Sequence, residues 1–332
     1  MGFDIFDFLG ITQLMDAGKK LIGVKSKAEN IQQPLTPRKF VYRPTTFDEY
    51  ISQEKAKDKV KLTIELIKKG FIRHFLFTGN AGHGKTTLAG IVSNELGFGF
   101  NVYVGSNFDK DTMLDFLMKN EKTVLPQIIF IDELAEVDKK TLTFLLPIIE
   151  DFKLGNINLR KFCFVGATTD EFIISKRCQP FLDRIHCKLR LEEYSANDIR
   201  RLLIQYNDQI HHVNISSEIF DILSNNVRFN PRLAISYFDY LIATNGDVNR
   251  VLNMNRIIKD GLDDLDIRIL RHLNDTNGKA VGEKTLSIVA NMTTAEYKEL
   301  REPYLLRRGL ISTGQKGRIL TESGKIFLQG VK

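Results

Sequence analysis

Residues 79–86 read Gly79-Asn80-Ala81-Gly82-His83-Gly84-Lys85-Thr86, and this stretch decides the fold. An apolar run, Phe75-Leu76-Phe77, comes before it and predicts a strand, whereas Leu88-Ala89 after it predicts the start of a helix. The stretch matches the pattern G-x-x-x-x-G-K-[ST] in full, in the strand–loop–helix context that the pattern requires. The sequence therefore predicts a phosphate-binding loop.

The chemistry of this loop assigns a role to each of its defining residues. The glycines let backbone N–H groups turn inward around the phosphates of a nucleotide, and the following helix N-terminus adds positive potential. Lys85 would reach the β- and γ-phosphate oxygens, and Thr86 would ligate Mg²⁺. We assign to the nucleotide site Gly79, Gly82, Gly84, Lys85, Thr86 and Thr87. The pattern leaves the position of His83 free, so we expect that side chain to face solvent.

A second half of the site follows some fifty residues later. Four apolar residues, Ile128–Ile131, predict a buried strand, and Asp132 and Glu133 come directly after them. Open α/β sheets bind ligands at the carboxyl ends of their strands. Asp132 would hold Mg²⁺ through water, and Glu133 would polarise the water that attacks the γ-phosphate.

Short apolar runs alternate with helical segments up to about residue 194, which predicts an α/β fold with a parallel sheet buried on both faces. From Ser195 to about Asp260 the pattern is helical, and the tail reads as helices followed by a hairpin, as in a winged helix. We therefore expect four parts: an N-terminal extension over 1–37 with an amphipathic helix and a tether, an ATPase domain over 38–194, a helical lid over 195–262, and a winged-helix domain over 263–332.

Composition excludes several classes of protein. The chain has 332 residues, and no stretch approaches the ~18 consecutive apolar residues that span a bilayer. Its three cysteines lack C-x-x-C spacing, which argues against a zinc site or a disulfide framework and for a cytoplasmic protein. The net charge is +6, and residues 297–332 hold eight basic and three acidic residues, so the basic excess lies in the predicted winged helix. Such a distribution is compatible with nucleic-acid binding.

Two downstream arginines are candidates for stabilising charge during phosphoryl transfer. Arg184 follows Pro180–Asp183 before an apolar segment, and Arg232 follows Asn230-Pro231 at a predicted helix start. From spacing alone, either arginine can equally be a surface ion-pair residue.

Six stretches in one order resemble the RuvB family of AAA+ ATPases, the bacterial motors of Holliday-junction branch migration. The resemblance covers about Phe40 to Leu328 and lies in residues 43–54, the phosphate loop, and the stretches 166–169, 191–194, 230–232 and 302–306. It implies ATP and Mg²⁺ as ligands, a homo-oligomeric, hexameric ring around double-stranded DNA, and branch migration of junction DNA.

The resemblance also implies roles for individual residues. Tyr50 and Ile51 would form the adenine pocket, with Tyr194 and Pro231 near the base. Thr169 would be the sensor that contacts the attacking water or the γ-phosphate, and Arg232 would be the second sensor, on the lid. Arg184 would be an arginine finger directed at the neighbouring subunit's ATP. Arg177 is a rival, because Arg177-Cys178 resembles the Ser-Arg-Cys of clamp loaders. On the wing, Arg318 and Lys316 would contact DNA phosphates.

The chain departs from the family at one position that bears on partners. Only residues 153–161 separate Phe152 from Phe162, whereas family members carry a longer hairpin here that docks on the junction-recognition partner RuvA. The short hairpin argues against a RuvA-like partner. It also leaves open an alternative function, a clamp-loader or helicase-loader type ATPase that assembles another protein on DNA.

Overall fold

A five-stranded parallel sheet forms the framework of the N-terminal half. The computed structural model describes residues 42–331, so the helix and tether predicted over 1–37 lie outside the described residues. Its strands are β1 (Phe75–Thr78), β2 (Gly99–Val104), β3 (Gln127–Asp132), β6 (Cys163–Thr168) and β7 (Cys187–Arg190). Their order across the sheet is β2-β3-β6-β1-β7. A short hairpin, β4 (Lys153–Leu154) and β5 (Ile157–Asn158), lies outside the sheet.

Helices cover both faces of this sheet, and strand periodicity decides which residue meets which face. Successive side chains of a strand point to opposite faces. The helices are α1 (Glu54–Lys68), α2 (Lys85–Leu96), α3 (Lys110–Lys122), α4 (Lys139–Glu150) and α5 (Glu171–Asp183). Leu76 and Ile129 therefore pack in one apolar cluster with helices α3, α4 and α5, whereas Phe77 and Phe130 pack in the other cluster with α1 and α2. The predicted doubly covered parallel sheet is confirmed.

The register of the central strands brings the carboxyl ends of three strands to one edge of the sheet. In β6, Val165 pairs with Phe75 of β1 and with Phe130 of β3, and all three strands are parallel. Their carboxyl ends consequently open into the phosphate loop after β1, the Asp132-Glu133 pair at β3, and Thr169 after β6.

A helical cluster follows the sheet. Helix α6 (Ala196–Tyr206) begins at a capping box, in which Ser195 and Asp198 satisfy each other's backbone N–H groups. The remaining helices of the cluster are α7 (Ser217–Asn226), α8 (Pro231–Ala243) and α9 (Val248–Met254). Buried side chains such as Leu203 and Phe238 join them in one apolar cluster.

The acidic stretch 260–264, at the expected boundary between the helical lid and the winged-helix domain, forms the turn and second strand of a small hairpin. Strands β8 (Ile257–Lys259) and β9 (Leu262–Asp263) pair across Asp260-Gly261. Both turn residues have positive φ, 51° and 73°. Because an Asp-Gly pair with positive φ is the preferred two-residue hairpin turn, this dipeptide was the signal for a hairpin.

The C-terminal part is a winged helix, as predicted. Its helices are α10 (Asp264–Asp275), α11 (Glu283–Val289), α12 (Thr294–Glu296), α13 (Glu302–Arg307) and α14 (Glu322–Gln329). The wing consists of β10 (Ile311–Gly314) and β11 (Gly317–Leu320), and Val281 exchanges two backbone hydrogen bonds with Arg318 beside β11. One apolar cluster of its own fills the interior. No helix within residues 42–331 is long and apolar enough to cross a membrane.

The three cysteine thiols lie in the interior of the sheet domain. Cys163 and Cys187 are almost fully buried, and Cys178 is 7% exposed. Burial raises the pKa of the Cys163 thiol and that of Cys187. All three are free cysteines.

One buried histidine, His74, joins the start of β1 to two neighbours. Its Nε2 lies 2.7 Å from the Ile149 carbonyl oxygen, and its Nδ1 lies 3.1 Å from the Phe164 backbone nitrogen. Because a carbonyl can only accept and an N–H can only donate, the ring is neutral with its proton on Nε2. Burial lowers the pKa of His74 to about 4.

This burial predicts a loss of stability in mild acid. As the pH falls below 6.5, His74 binds a proton in the unfolded chain before it does so in the folded chain. The free energy of unfolding therefore decreases between pH 6.5 and about 4. The loss from His74 is at most about 3 kcal/mol. Urea unfolding midpoints measured across this range are expected to fall less steeply in His74→Gln than in the wild type. The control is His212→Gln at an exposed histidine; equal slopes for all three proteins would contradict the prediction.

Candidate nucleotide site

The phosphate loop adopts a backbone that only glycine accepts easily at three positions. Gly79, Gly82 and Gly84 have φ of 140°, 83° and 90°. Space is also limiting, because a Cβ on Gly82 would lie 2.8 Å from the Asn230 side-chain oxygen and a Cβ on Gly84 would lie 2.7 Å from the Tyr50 hydroxyl. The loop therefore turns tightly between β1 and the start of α2 at Lys85.

Lys85 and Thr86 are held at the amino end of α2. The Lys85 ammonium is buried and donates hydrogen bonds to the carbonyl oxygens of Gly79, at 2.7 Å, and Asn80, at 3.0 Å. Burial lowers the pKa of Lys85, and nearby Arg232 lowers it further, while Asp132 and Glu133 oppose that shift. The ammonium therefore has charged neighbours of both signs at the place where phosphates are expected.

The Asp132-Glu133 pair lies opposite the loop. The Thr86 hydroxyl donates to an Asp132 carboxylate oxygen at 2.9 Å, which joins the two expected Mg²⁺ ligands directly. Glu133 is exposed and has a φ of 53°, a left-handed conformation that is uncommon for a residue other than glycine. Its carbonyl packs so closely on Gly105 that a Cβ there would lie 2.2 Å away. A tight backbone contact thus accompanies the unusual conformation of this residue.

Thr169 lies where a sensor at the end of β6 was expected. It is exposed and directly follows Thr168, whose buried hydroxyl accepts from the Asp170 N–H at 3.0 Å. Because β6 lies between β1 and β3, Thr169 opens into the same edge as the loop and the acidic pair. Thr87, in the first turn of α2, is half-buried.

The residues expected around the base lie where the sheet domain meets the helical cluster. Tyr50 packs in the core beneath the phosphate loop, and Ile51 packs with Tyr194 in the helical cluster. The Tyr50 hydroxyl lies 3.3 Å from the carbonyl oxygens of both His83 and Gly84. Pro231 is buried at the first position of α8.

His83 does not face solvent, and the expectation from the motif was wrong. Its side chain is 4% exposed and its ring packs edge-on against that of Tyr194, 6.0 Å between centroids. Among the described residues, its Nδ1 has no hydrogen-bond partner. Burial, with Lys85 and Arg307 nearby, lowers the pKa of His83 to about 4. The side chain at the position that the pattern leaves free is thus buried against a residue that packs in the helical cluster.

Two contacts to the loop were missed from the sequence. Asn230 caps α8, accepting from the Arg232 N–H at 2.9 Å, while its amide lies 3.4 Å from the Ala81 carbonyl. On the other side, the Asn80 amide donates to Glu193 at 3.3 Å. The second Glu193 oxygen pairs with Arg307 of the winged helix at 2.9 Å. An Asn-Pro-Arg sequence at a helix start was the available signal for Asn230; Glu193 had none.

The two candidate finger arginines lie on or next to α5 and have different partners. Helix α5 is interrupted at Cys178, just before Pro180, and Arg184 caps its last turn. The Arg184 Nε donates to Glu150 at 2.7 Å, and Nη1 donates to the Pro180 carbonyl at 2.8 Å. Arg177 donates to the carbonyls of Ala135 and Val137.

On the wing, the two expected DNA contacts differ in availability. Lys316 is exposed at the tip between β10 and β11. The Arg318 guanidinium instead pairs with Glu302 and Glu283, and only 16% of its side chain is exposed. The structure therefore gives Arg318 a role in joining the wing to helices α11 and α13.

The residues present suit a magnesium nucleotide. The glycine cradle excludes side chains, Lys85 supplies a buried cation, and Thr86 with Asp132 supplies two oxygen donors. Mg²⁺ typically takes one or two protein ligands and completes its shell with phosphate and water. Residues 42–331 hold no group of three or more His, Cys, Asp and Glu side chains that could bind a metal ion.

Comparison with known proteins gives one consistent family. Residues 42–191 match the family described as "Holliday junction DNA helicase RuvB P-loop domain", and residues 259–329 match the "RuvB C-terminal winged helix domain". The Holliday junction branch migration complex subunit RuvB of Fusobacterium nucleatum is 30% identical over 308 residues, which cover 84% of this chain and 90% of that protein. The corresponding protein of Campylobacter hominis is also 30% identical, covering 84% and 87%.

Solved structures agree. The Thermotoga maritima RuvB Holliday junction branch migration motor has a TM-score of 0.71 and 29% identity, covering 86% of this chain and 98% of that chain. The Aeropyrum pernix ORC2 protein has a TM-score of 0.56 at 14% identity, covering 87% and 94%, which shows a shared fold alone.

The crowding at Gly82 predicts a specific defect in Gly82→Ala. The new methyl group would meet Asn230 at 2.8 Å and require a φ of 83°, so we expect ATP affinity to fall by about tenfold or more and stability by about 1–3 kcal/mol. Gly97→Ala is the matched control, because Gly97 also has positive φ but nothing lies within 4 Å of its Cβ position. Gly97→Ala should lose stability and keep ATP affinity. Titration with a fluorescent ATP analogue measures the affinity, and thermal unfolding measures the stability. Wild-type affinity in Gly82→Ala would refute the contact.

Proposed function

Since the chain belongs to the RuvB family of AAA+ ATPases, we propose that it is an ATP-driven DNA motor that forms a ring on duplex DNA and moves Holliday junctions. The observation that carries the proposal is the presence, in one chain, of a complete phosphate-loop site and a winged helix that contacts it through Arg307, Glu193 and Asn80. One polypeptide would thereby carry both the site of ATP hydrolysis and the domain that binds DNA. We place this motor in the cytoplasm, where its DNA substrate lies.

The residues divide the work of hydrolysis. Thr86, and Asp132 through water, would hold Mg²⁺, which would supply positive charge against the phosphates. Lys85 orients the phosphates, and Glu133 holds the attacking water in line and polarises it. Thr169 senses that water or the γ-phosphate from the end of β6, and Arg232 reaches the nucleotide from α8. Tyr50, Ile51, Tyr194 and Pro231 border the base.

Arg184 is proposed as the arginine finger, acting on the ATP of a neighbouring subunit in a hexamer. Its pairing with Glu150 is half-exposed, so a closer-lying phosphate can replace that carboxylate at little cost. Arg177 is held by two backbone carbonyls of its own chain, which are lost if it swings out. These partners favour Arg184.

DNA would be held by the winged helix through phosphate contacts, which position a protein without reading sequence. Lys316 at the wing tip is the exposed candidate. Arg318 would orient the wing through Glu302 and Glu283 and reach phosphate only by leaving them. The β4–β5 hairpin has strands of two residues each, and we propose that this motor does not dock a RuvA-like partner there.

Dissociation of a synthetic four-way DNA junction by the purified protein tests the function. The wild type is expected to convert the junction into duplex arms with ATP, and Glu133→Gln should bind ATP without doing so, because it lacks the carboxylate that polarises water. An intact junction in the presence of bound and hydrolysed ATP would contradict a self-sufficient motor. It would favour a loader that assembles another protein on DNA.

A mixing experiment tests the finger. Arg184→Ala and Lys85→Ala subunits are each expected to be inactive, and mixed rings should recover part of the ATPase rate at interfaces with an intact loop and an intact finger. The matched control mixes Arg177→Ala with Lys85→Ala. Recovery in the Arg177 mixture, but not in the Arg184 mixture, would transfer the role to Arg177.

A further inference from the structure

A buried cluster of four charged residues joins the helical cluster to the winged helix. Arg228 lies between α7 and α8 and pairs with Asp266, which is fully buried, and with Asp263 at 3.4 Å. Arg301, before α13, pairs with the same two carboxylates. Because a charge left unpaired in such a cluster is costly, the four side chains hold the two parts together.

Further contacts fix the Arg228 side chain. Its Nε donates to the Gly261 carbonyl at 2.9 Å, and its guanidinium lies over the Tyr304 ring, 5.3 Å from the centroid. Tyr304 belongs to α13, the helix before the wing, and its hydroxyl donates to the Asp260 carbonyl at 2.7 Å. Arg228 is thus inserted between the β8–β9 turn and the winged helix.

The chain next to Arg228 is conformationally strained. Arg228 and Phe229 are consecutive and both left-handed, with φ of 52° and 55°. Such a conformation is strained for residues other than glycine and persists only where the surroundings determine it. Phe229 packs on the winged-helix core, 6.0 Å from Tyr304 between ring centroids. The winged helix therefore determines the direction in which the chain enters α8.

The other end of the same short segment touches the nucleotide site. Asn230 meets Ala81 and Gly82 of the phosphate loop, and its side-chain oxygen accepts from the backbone N–H of Arg232, the expected second sensor. Residues 228–232 thus have one end in the charged cluster of the winged helix and the other against the loop that binds phosphate.

We propose that residues 228–232 form a strap that couples DNA engagement by the winged helix to the phosphate loop, with Arg228 as its positioning residue. The inference rests on the proposed function, because a motor that moves along duplex DNA is expected to hydrolyse ATP faster when DNA is bound. A shift of the winged helix moves Arg228 with its carboxylate partners, and the strained turn passes that shift to Asn230 and Arg232. DNA then acts on the rate of hydrolysis rather than on ATP binding.

The test is the ATPase of Arg228→Met with and without duplex DNA, alongside DNA affinity and thermal unfolding. We expect basal kcat and ATP KM within about twofold of wild type and DNA affinity within about threefold, whereas DNA stimulation of kcat falls about fivefold or more. Arg228→Lys keeps the charge and should recover part of the stimulation. Arg268→Met is the matched control, because Arg268 forms an exposed ion pair with Asp264 on α10, the helix that also carries Asp266. DNA should stimulate the ATPase of this variant as much as that of the wild type.

Wild-type stimulation in folded Arg228→Met would overturn the strap. If Arg228→Met does not fold, Asp263→Asn, which leaves Asp266 to pair with both arginines, decides by the same comparison. A wild-type protein that hydrolyses ATP without any response to DNA would refute the proposed function itself, and that result is read before any variant is made.

Discussion

Parallel pairing of β6 with both β1 and β3 is the interaction on which the rest of the site depends. In a parallel pair the strands run in the same direction, so their carboxyl ends, and the loops that follow, lie along one edge. Phosphate loop, acidic pair and sensor threonine come from positions far apart in the chain, and only this pairing gathers them. Burial of both sheet faces fixes the register, since a slip by one residue would exchange the two cores.

Around this edge, the helical cluster contacts the phosphate loop directly through Asn230, and the winged helix contacts it through Arg307 by way of Glu193. Asn230 approaches from one side, and Glu193, paired with Arg307, approaches from the other. The two routes differ in character. The Glu193–Arg307 pair is half-exposed and is weakened by salt. The cluster behind Asn230 is largely buried and depends on four charges that pair with one another.

The sequence predicted those features that follow from local pattern. Strand runs, the phosphate loop and the Asp132-Glu133 pair depend on neighbours in the chain, and the fold class followed from them. Burial of His83 depends instead on Tyr194, more than a hundred residues away, and a motif position left free gives no information about such packing. Likewise, the inward direction of Arg318 depends on Glu302 and Glu283, which no spacing rule connects to the wing. The hairpin at Asp260-Gly261 had a local signal, the Asp-Gly dipeptide itself.

Burial of Cys163, Cys178 and Cys187 has a practical consequence for watching this motor move. A thiol reacts with maleimide dyes as the exposed thiolate, and these three sulfurs are enclosed by the sheet and its helices. A cysteine introduced on the wing and another on the exposed surface of α1 would consequently carry a donor and an acceptor fluorophore on an otherwise native chain. Changes in the distance between the winged helix and the ATPase sheet during turnover then become visible in single molecules.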